Sequence, residues 1–123
     1  MITLLAVSAA SAIGAPARYL LDRAIAARRT SALPLGTMTI NLTGALLLGL
    51  LTGLALHHGM PKPMLAMLGT GFCGAYTTFS TFSYETMRLV EDGSIAEAST
   101  NVAVSLAAGM VAAAAGLGLA LLI

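Results

Sequence analysis

The chain has 123 residues, of which 58% are hydrophobic and 9% charged, with a mean hydropathy of +0.91. A soluble domain carries about 25% charged residues, so this chain has too few to cover a water-facing core and reads as a membrane protein. Its formal net charge of +1 excludes a strong electrostatic pull on nucleic acid.

A membrane-crossing helix needs about 20 mainly apolar residues. Four stretches qualify, at about residues 2–21, 36–56, 64–90 and 101–123. The connections between them are short. The chain therefore reads as a single four-helix transmembrane domain, all-α, with no room for a soluble domain.

The first span is rich in Ala and Ser. It lacks the positively charged start of a signal peptide and is expected to remain as a helix. Arg18 lies near its end. It either snorkels to the surface or gives a vestibule a positive potential that attracts anions. An Arg-bearing loop from about Asp22 to Pro34 follows. The second span carries Thr37, Thr39 and then Asn41 at membrane depth. Polar groups there are costly and need a reason. Asn41 either ties two helices together or offers its amide N–H groups to something passing through. Gly44, Gly49 and Gly53 mark a face that lets another backbone approach closely.

The next loop, HHGMPKP at 57–63, holds His57 and His58. Two adjacent histidines with no Cys, Asp or Glu nearby make a weak metal signal, and they are expected to be exposed. The third span is long and polar in its middle, GTGFCGAYTTFSTFS at 69–83. Cys73 is the only cysteine, so no intrachain disulfide is possible, and it reads as a small buried hydrophobe. Gly71, Gly74, Thr77 and Thr78 all lower helix propensity. Two readings stay open. Either the helix breaks here and makes an ion site, since unwound backbone at this depth must be buried in protein or line a cavity. Or it continues, with its hydroxyls bonded to carbonyls one turn earlier. Glu85 pairs with a cation or a donor from a neighbouring helix, or snorkels to the interface.

The fourth span has Gly109, Gly116 and Gly118 among many alanines, and Ser105 as its nearest hydroxyl to the polar centre. With four spans, Arg23, Arg28, Arg29 and Arg88 fall on one side and Lys62 on the other. That count argues for termini facing away from the cytoplasm.

Phe79 and Phe82, three residues apart, share one helical face. An aromatic ring has a positive edge, so edges aimed into a pore would favour a small anion. The plainer alternative is packing against lipid or a neighbour. Ser80, Thr81 and Ser83 beside the rings favour the pore, because hydroxyls can donate to an anion. Neutral donors loosen an ion's hydration without trapping it, which is the intermediate strength that conduction needs.

GAPARY at 14–19, GTMTINLTGALLLG at 36–49 and GFCGAYTTFSTFSYE at 71–85 together resemble the signatures of the Fluc/CrcB fluoride channels, in the right order and over most of the chain. The resemblance implies a channel, not an enzyme, that exports fluoride passively across the bacterial cytoplasmic (inner) membrane and reduces fluoride toxicity. It implies an antiparallel, dual-topology homodimer with two pores and a broken third helix. Carried onto this sequence, Phe79, Phe82 and Asn41 would be pore residues, with Ser80 and Thr81 in a hydroxyl track beside the rings. Backbone carbonyls of Gly74 and Thr77 from both subunits would hold one structural Na⁺ at the dimer centre. Arg18 matches the vestibule arginine and Glu85 the acid after the motif.

Two departures stand out. The fourth helix offers only Ser105 to the track, with Gly109 where some relatives carry a serine. The loop charges argue for one orientation, whereas dual topology needs almost no bias. A proton-coupled exporter of organic cations would want an acid in the first span, which has Arg18 and no acid, and more aromatics than 5%. A non-transporting membrane scaffold leaves the polar third span unexplained.

Overall fold

The computed structural model describes residues 1–123 and contains helices and no strand. α1 (Ile2–Ala26), α2 (Leu35–His57) and α6 (Ile95–Leu119) are each long and apolar enough to cross a bilayer. Between α2 and α6 the chain runs through shorter pieces. These are α3 (Lys62–Leu65), a π-helical segment (Ala66–Cys73), α4 (Gly74–Tyr76) and α5 (Phe79–Glu91). The architecture is that of an all-helical, multi-pass membrane protein.

Helix ends differ from the apolar limits. α1 continues past Leu21 to Ala26, because its last turns carry their own support. Arg23 Nη1 donates to the Tyr19 hydroxyl at 2.9 Å, and its guanidinium lies 5.7 Å from the Tyr19 ring centroid. α6 starts at Ile95, so residues 95–97 are helical rather than part of the loop. Gly93, at φ 78°, makes the reversal. Its N–H donates to Val90 O at 3.0 Å and the Ser94 N–H to Leu89 O at 2.8 Å, which closes the end of α5. Glu97 then sits in the first turn of α6, where negative charge is favoured.

α2 and α6 form the most extensive helix pair in the molecule. A side chain at Gly49 would collide with the Ala113 backbone, and one at Gly116 with the Leu46 backbone. The two helices thus touch main chain to main chain, as small residues permit in lipid. Gly109 and Gly118 have nothing within 4 Å and take no part in this contact. At the end of the pair His57 and His58 are exposed, as expected, and His58 also makes one contact across it. Its Nε2 lies 2.7 Å from Ala120 O, so the loop after α2 holds the last turn of α6.

α1 packs on the π-helical segment. Gly71 approaches Val7 and Ala10, and Ser11 Oγ donates to Gly71 O at 3.1 Å and to Val7 O at 2.9 Å. Cys73, in the same segment, is buried at 2% exposure. Only 17 of 123 residues are buried in the chain on its own. Leu106, Met110 and Val111 on α6 point outward, onto surface that lipid or another chain must cover.

Candidate functional site

Thr77 and Thr78 are extended, with ψ 162° and 121°, between the end of α4 and the start of α5. β-branched residues favour that conformation. Extended backbone in a membrane must find partners outside the helix ladder. Asn41 on α2 supplies them. Its Nδ2 donates to Thr78 O at 2.9 Å, and its Oδ1 accepts from the Thr78 N–H at 2.8 Å. One side-chain amide thus satisfies both polar groups of a buried residue. An asparagine amide carries two N–H groups. One is spent on Thr78, which leaves the second free.

Thr78 also caps α5. Its Oγ1 accepts from the Thr81 N–H at 3.2 Å and donates to Thr81 Oγ1 at 3.0 Å. This cap replaces a donor–acceptor pair that the interrupted helix would have provided. It also starts α5 at Phe79. The Phe79 and Phe82 rings then lie 5.9 Å apart, centroid to centroid, tilted by 39°.

Asn41, Phe79, Phe82 and Ser105 line one open cavity of about 400 Å³ between α2, α5 and α6. Gly44, Gly74, Thr77 and Thr78 also line it. No charged side chain reaches its wall. Phe79 is 78% exposed in the single chain, so one side of the cavity is open.

The family model described as "CrcB-like protein, Camphor Resistance (CrcB)" matches residues 5–117. This chain belongs to the CrcB family. A protein of Streptomyces avermitilis named "Fluoride-specific ion channel FluC 1" is 52% identical over 113 residues, covering 91% of this chain and 90% of its own. A protein of the same name from Frankia casuarinae is 49% identical over 121 residues, covering 94% of each chain. "Fluoride-specific ion channel FluC" of Geobacter sulfurreducens is 44% identical over 118 residues, covering 95% of each.

Not every residue singled out in this CrcB chain lies on the cavity wall. Ser80 is exposed, with its Oγ 3.3 Å from Thr78 Oγ1. Thr81 turns to a separate pocket beside Arg18, Tyr19, Asp22 and Thr37. Arg18 Nη1 donates to Thr77 O at 3.4 Å, a long bond, so its charge lies behind the extended pair and off the cavity wall. Glu85 lines a pocket with Asp22 and Arg29, and its Oε2 is buried without a hydrogen-bond partner.

The resemblance places a structural Na⁺ on Gly74 and Thr77. The Thr78 N–H would serve Gly74 O in a continuous helix but donates to Asn41 instead. Thr77 O lies outside any helix and accepts only the long bond from Arg18. Both are neutral carbonyl oxygens, Gly74 O in the last helical turn before the break and Thr77 O just past it, the donor type that suits a hard monovalent cation. No cluster of three or more His, Cys, Asp or Glu offers another metal site. The residues present therefore fit the group. Two carbonyls from one chain are a partial ligand set, and a second chain would have to complete it.

Two polar side chains went unread in the sequence. Tyr76 lies buried in α4, its hydroxyl 2.8 Å from Thr43 Oγ1 and its ring stacked on Phe72 at 5.6 Å. The Thr43 hydroxyl donates to Thr39 O and Ile40 O, so Tyr76 is the donor in that pair. Asn101 on α6 is fully buried. Its signal was available as a polar residue four positions before Ser105, on the same helical face.

Proposed function

We propose that this chain is the subunit of a passive, fluoride-selective channel in the bacterial inner membrane, which lowers internal fluoride and is not an enzyme. The names of the relatives support the anion. The observation that carries the reading for this chain is the cavity itself, whose polar groups are all neutral. It offers the spare Asn41 N–H, the Ser105 hydroxyl and the two phenylalanine rings. A charged wall would hold an anion too tightly, whereas amide, hydroxyl and ring-edge donors replace part of its hydration and let it go. Ser80 and Thr81 belong to the approach rather than to the wall, Arg18 to a positive vestibule, and Glu85 to its rim.

The functional unit is an antiparallel homodimer with two pores. The open side of the cavity and the outward apolar residues of α6 favour a second copy. In that unit the Gly74 and Thr77 carbonyls of both chains hold one Na⁺. The loop charges, four against one, run against an even mixture of orientations. The pairing therefore rests on the cavity and the carbonyls rather than on charge.

The test is flux from liposomes containing the purified protein, read with fluoride and chloride electrodes. Fluoride is expected to leave rapidly while chloride stays at the protein-free level. Equal flux of both would sink selectivity, and no fluoride flux would sink the channel. For the cation, exchange of Na⁺ for a bulky organic cation in detergent is expected to shift the dimer toward monomer on size exclusion. A dimer equally stable without Na⁺ removes the ion from the assembly.

A further inference from the structure

The fully buried Asn101 has a role that neither the family motifs nor the cavity wall accounts for. α5 has no fully buried residue of its own. Its one hydrogen bond to α6 runs from Asn101 Nδ2 to Thr86 Oγ1, at 2.9 Å. The Thr86 hydroxyl in turn donates to Phe82 O at 2.7 Å. On its other side Asn101 Oδ1 accepts from Ser105 Oγ at 3.5 Å. Both ends of this relay, Phe82 and Ser105, line the cavity, while Asn101 and Thr86 stand behind the wall.

The protons in the relay can be assigned. A hydroxyl has one proton, and Thr86 spends it on Phe82 O, so its oxygen must accept. Asn101 therefore turns its NH₂ toward Thr86 and its carbonyl oxygen toward Ser105. A flipped amide would set two acceptors against each other at Thr86. The Ser105 proton then points at Asn101 across a bond of 3.5 Å. That bond is long enough for the hydroxyl to swing and donate to an ion instead, and short enough to give it a resting partner.

We infer that Asn101 is a positioning residue for conduction. Through Thr86 it pins the Phe82 turn to α6, and through Oδ1 it orients the Ser105 hydroxyl, so ring and hydroxyl face each other across the cavity in a fixed relation. The inference deepens the proposed channel function and rests on it. Neither Asn101 nor Thr86 touches the ion.

The experiment compares the unaltered protein with Thr86→Val, Thr86→Ser, Asn101→Leu and the Val/Leu double variant in liposomes, with melting temperature measured in detergent. Thr86→Val keeps the shape of the side chain and carries the test even if Asn101→Leu fails to fold. Thr86→Val is expected to lower fluoride flux per active vesicle about tenfold, the scale of one lost hydrogen bond in a barrier. Thr86→Ser is expected to keep it. The double variant is expected to be no slower than the slower single variant, because both cut the same relay. Suppose instead that the variants melt earlier and fewer vesicles are active, while flux per active vesicle and the fluoride-to-chloride ratio hold. The bond is then structural only and the inference fails. Additive losses in the double variant also overturn it. If the unaltered protein carries no fluoride, the channel reading itself has failed, a result separate from all of these.

Discussion

Replacing Phe79 or Phe82 with isoleucine is expected to slow fluoride flux about tenfold for each ring and about a hundredfold for both, as barrier increments of this size imply. The argument starts from what isoleucine keeps and loses. It remains bulky and apolar, so the cavity does not collapse. It has no quadrupole, so the positive ring edge available to an anion is gone. Phe79 is 78% exposed in the single chain and Phe82 is half-buried, so neither contributes much to the packing of the subunit. Melting temperature and dimer fraction should therefore stay close to those of the unaltered protein. That separation distinguishes a transport role from packing against lipid. If flux is unchanged in both single variants and in the double, the rings have no part in conduction.

The second large effect falls on Asn41. Asn41→Leu removes both partners of Thr78 and leaves a buried N–H and a buried C=O unpaired. Each unpaired group costs about 1–3 kcal/mol, so two of them remove a large part of the roughly 5–15 kcal/mol by which a small domain is stable. Unfolding should shift to markedly lower temperature, with the pair Thr77–Thr78 losing its extended form. Asn41→Asp keeps one of the two bonds and changes the charge. The carboxylate still accepts from the Thr78 N–H, but it has no N–H for Thr78 O, so part of the stability loss remains. It also places a negative charge on a neutral wall; flux is therefore read per active vesicle. Fluoride flux is expected to fall at least about a hundredfold, because charge repulsion adds to the lost donor. Flux at the unaltered rate through Asn41→Asp would mean that the spare N–H does not meet the ion.

The apolar stretches, their order and the polar centre between 69 and 83 were legible because hydropathy and length are local properties. What an element touches was not. Low propensity at Gly71 and Gly74 pointed to unwound backbone, yet both residues are helical. Gly71 packs on Val7 and Ala10 of α1, and its stretch is wound in a π-helical form. Only Thr77 and Thr78 are extended, where β-branching and the Asn41 amide act together. Asn41 was weighed as either a helix tie or an ion donor. It has one N–H for each, which follows only from where Thr78 lies. The resemblance grouped Ser80 and Thr81 with the rings, but capping of α5 by Thr78 draws Thr81 away toward Arg18. Asn101 drew no notice because a lone amide in an alanine-rich helix has no visible partner until α5 is set beside it.

The π-helical segment at 66–73 has a consequence in rotation. A π turn accommodates one residue more than an α turn over nearly the same rise. Each residue in an α-helix turns the chain by about 100°. The segment therefore works as an angular spacer, holding Gly71 against α1 while setting the rotation of everything downstream around the axis. The same residues wound as a plain α-helix would turn further over this stretch, and α4 and the rings of α5 would leave at a different azimuth. The winding of this stretch, as much as its composition, sets which way Phe79 and Phe82 face.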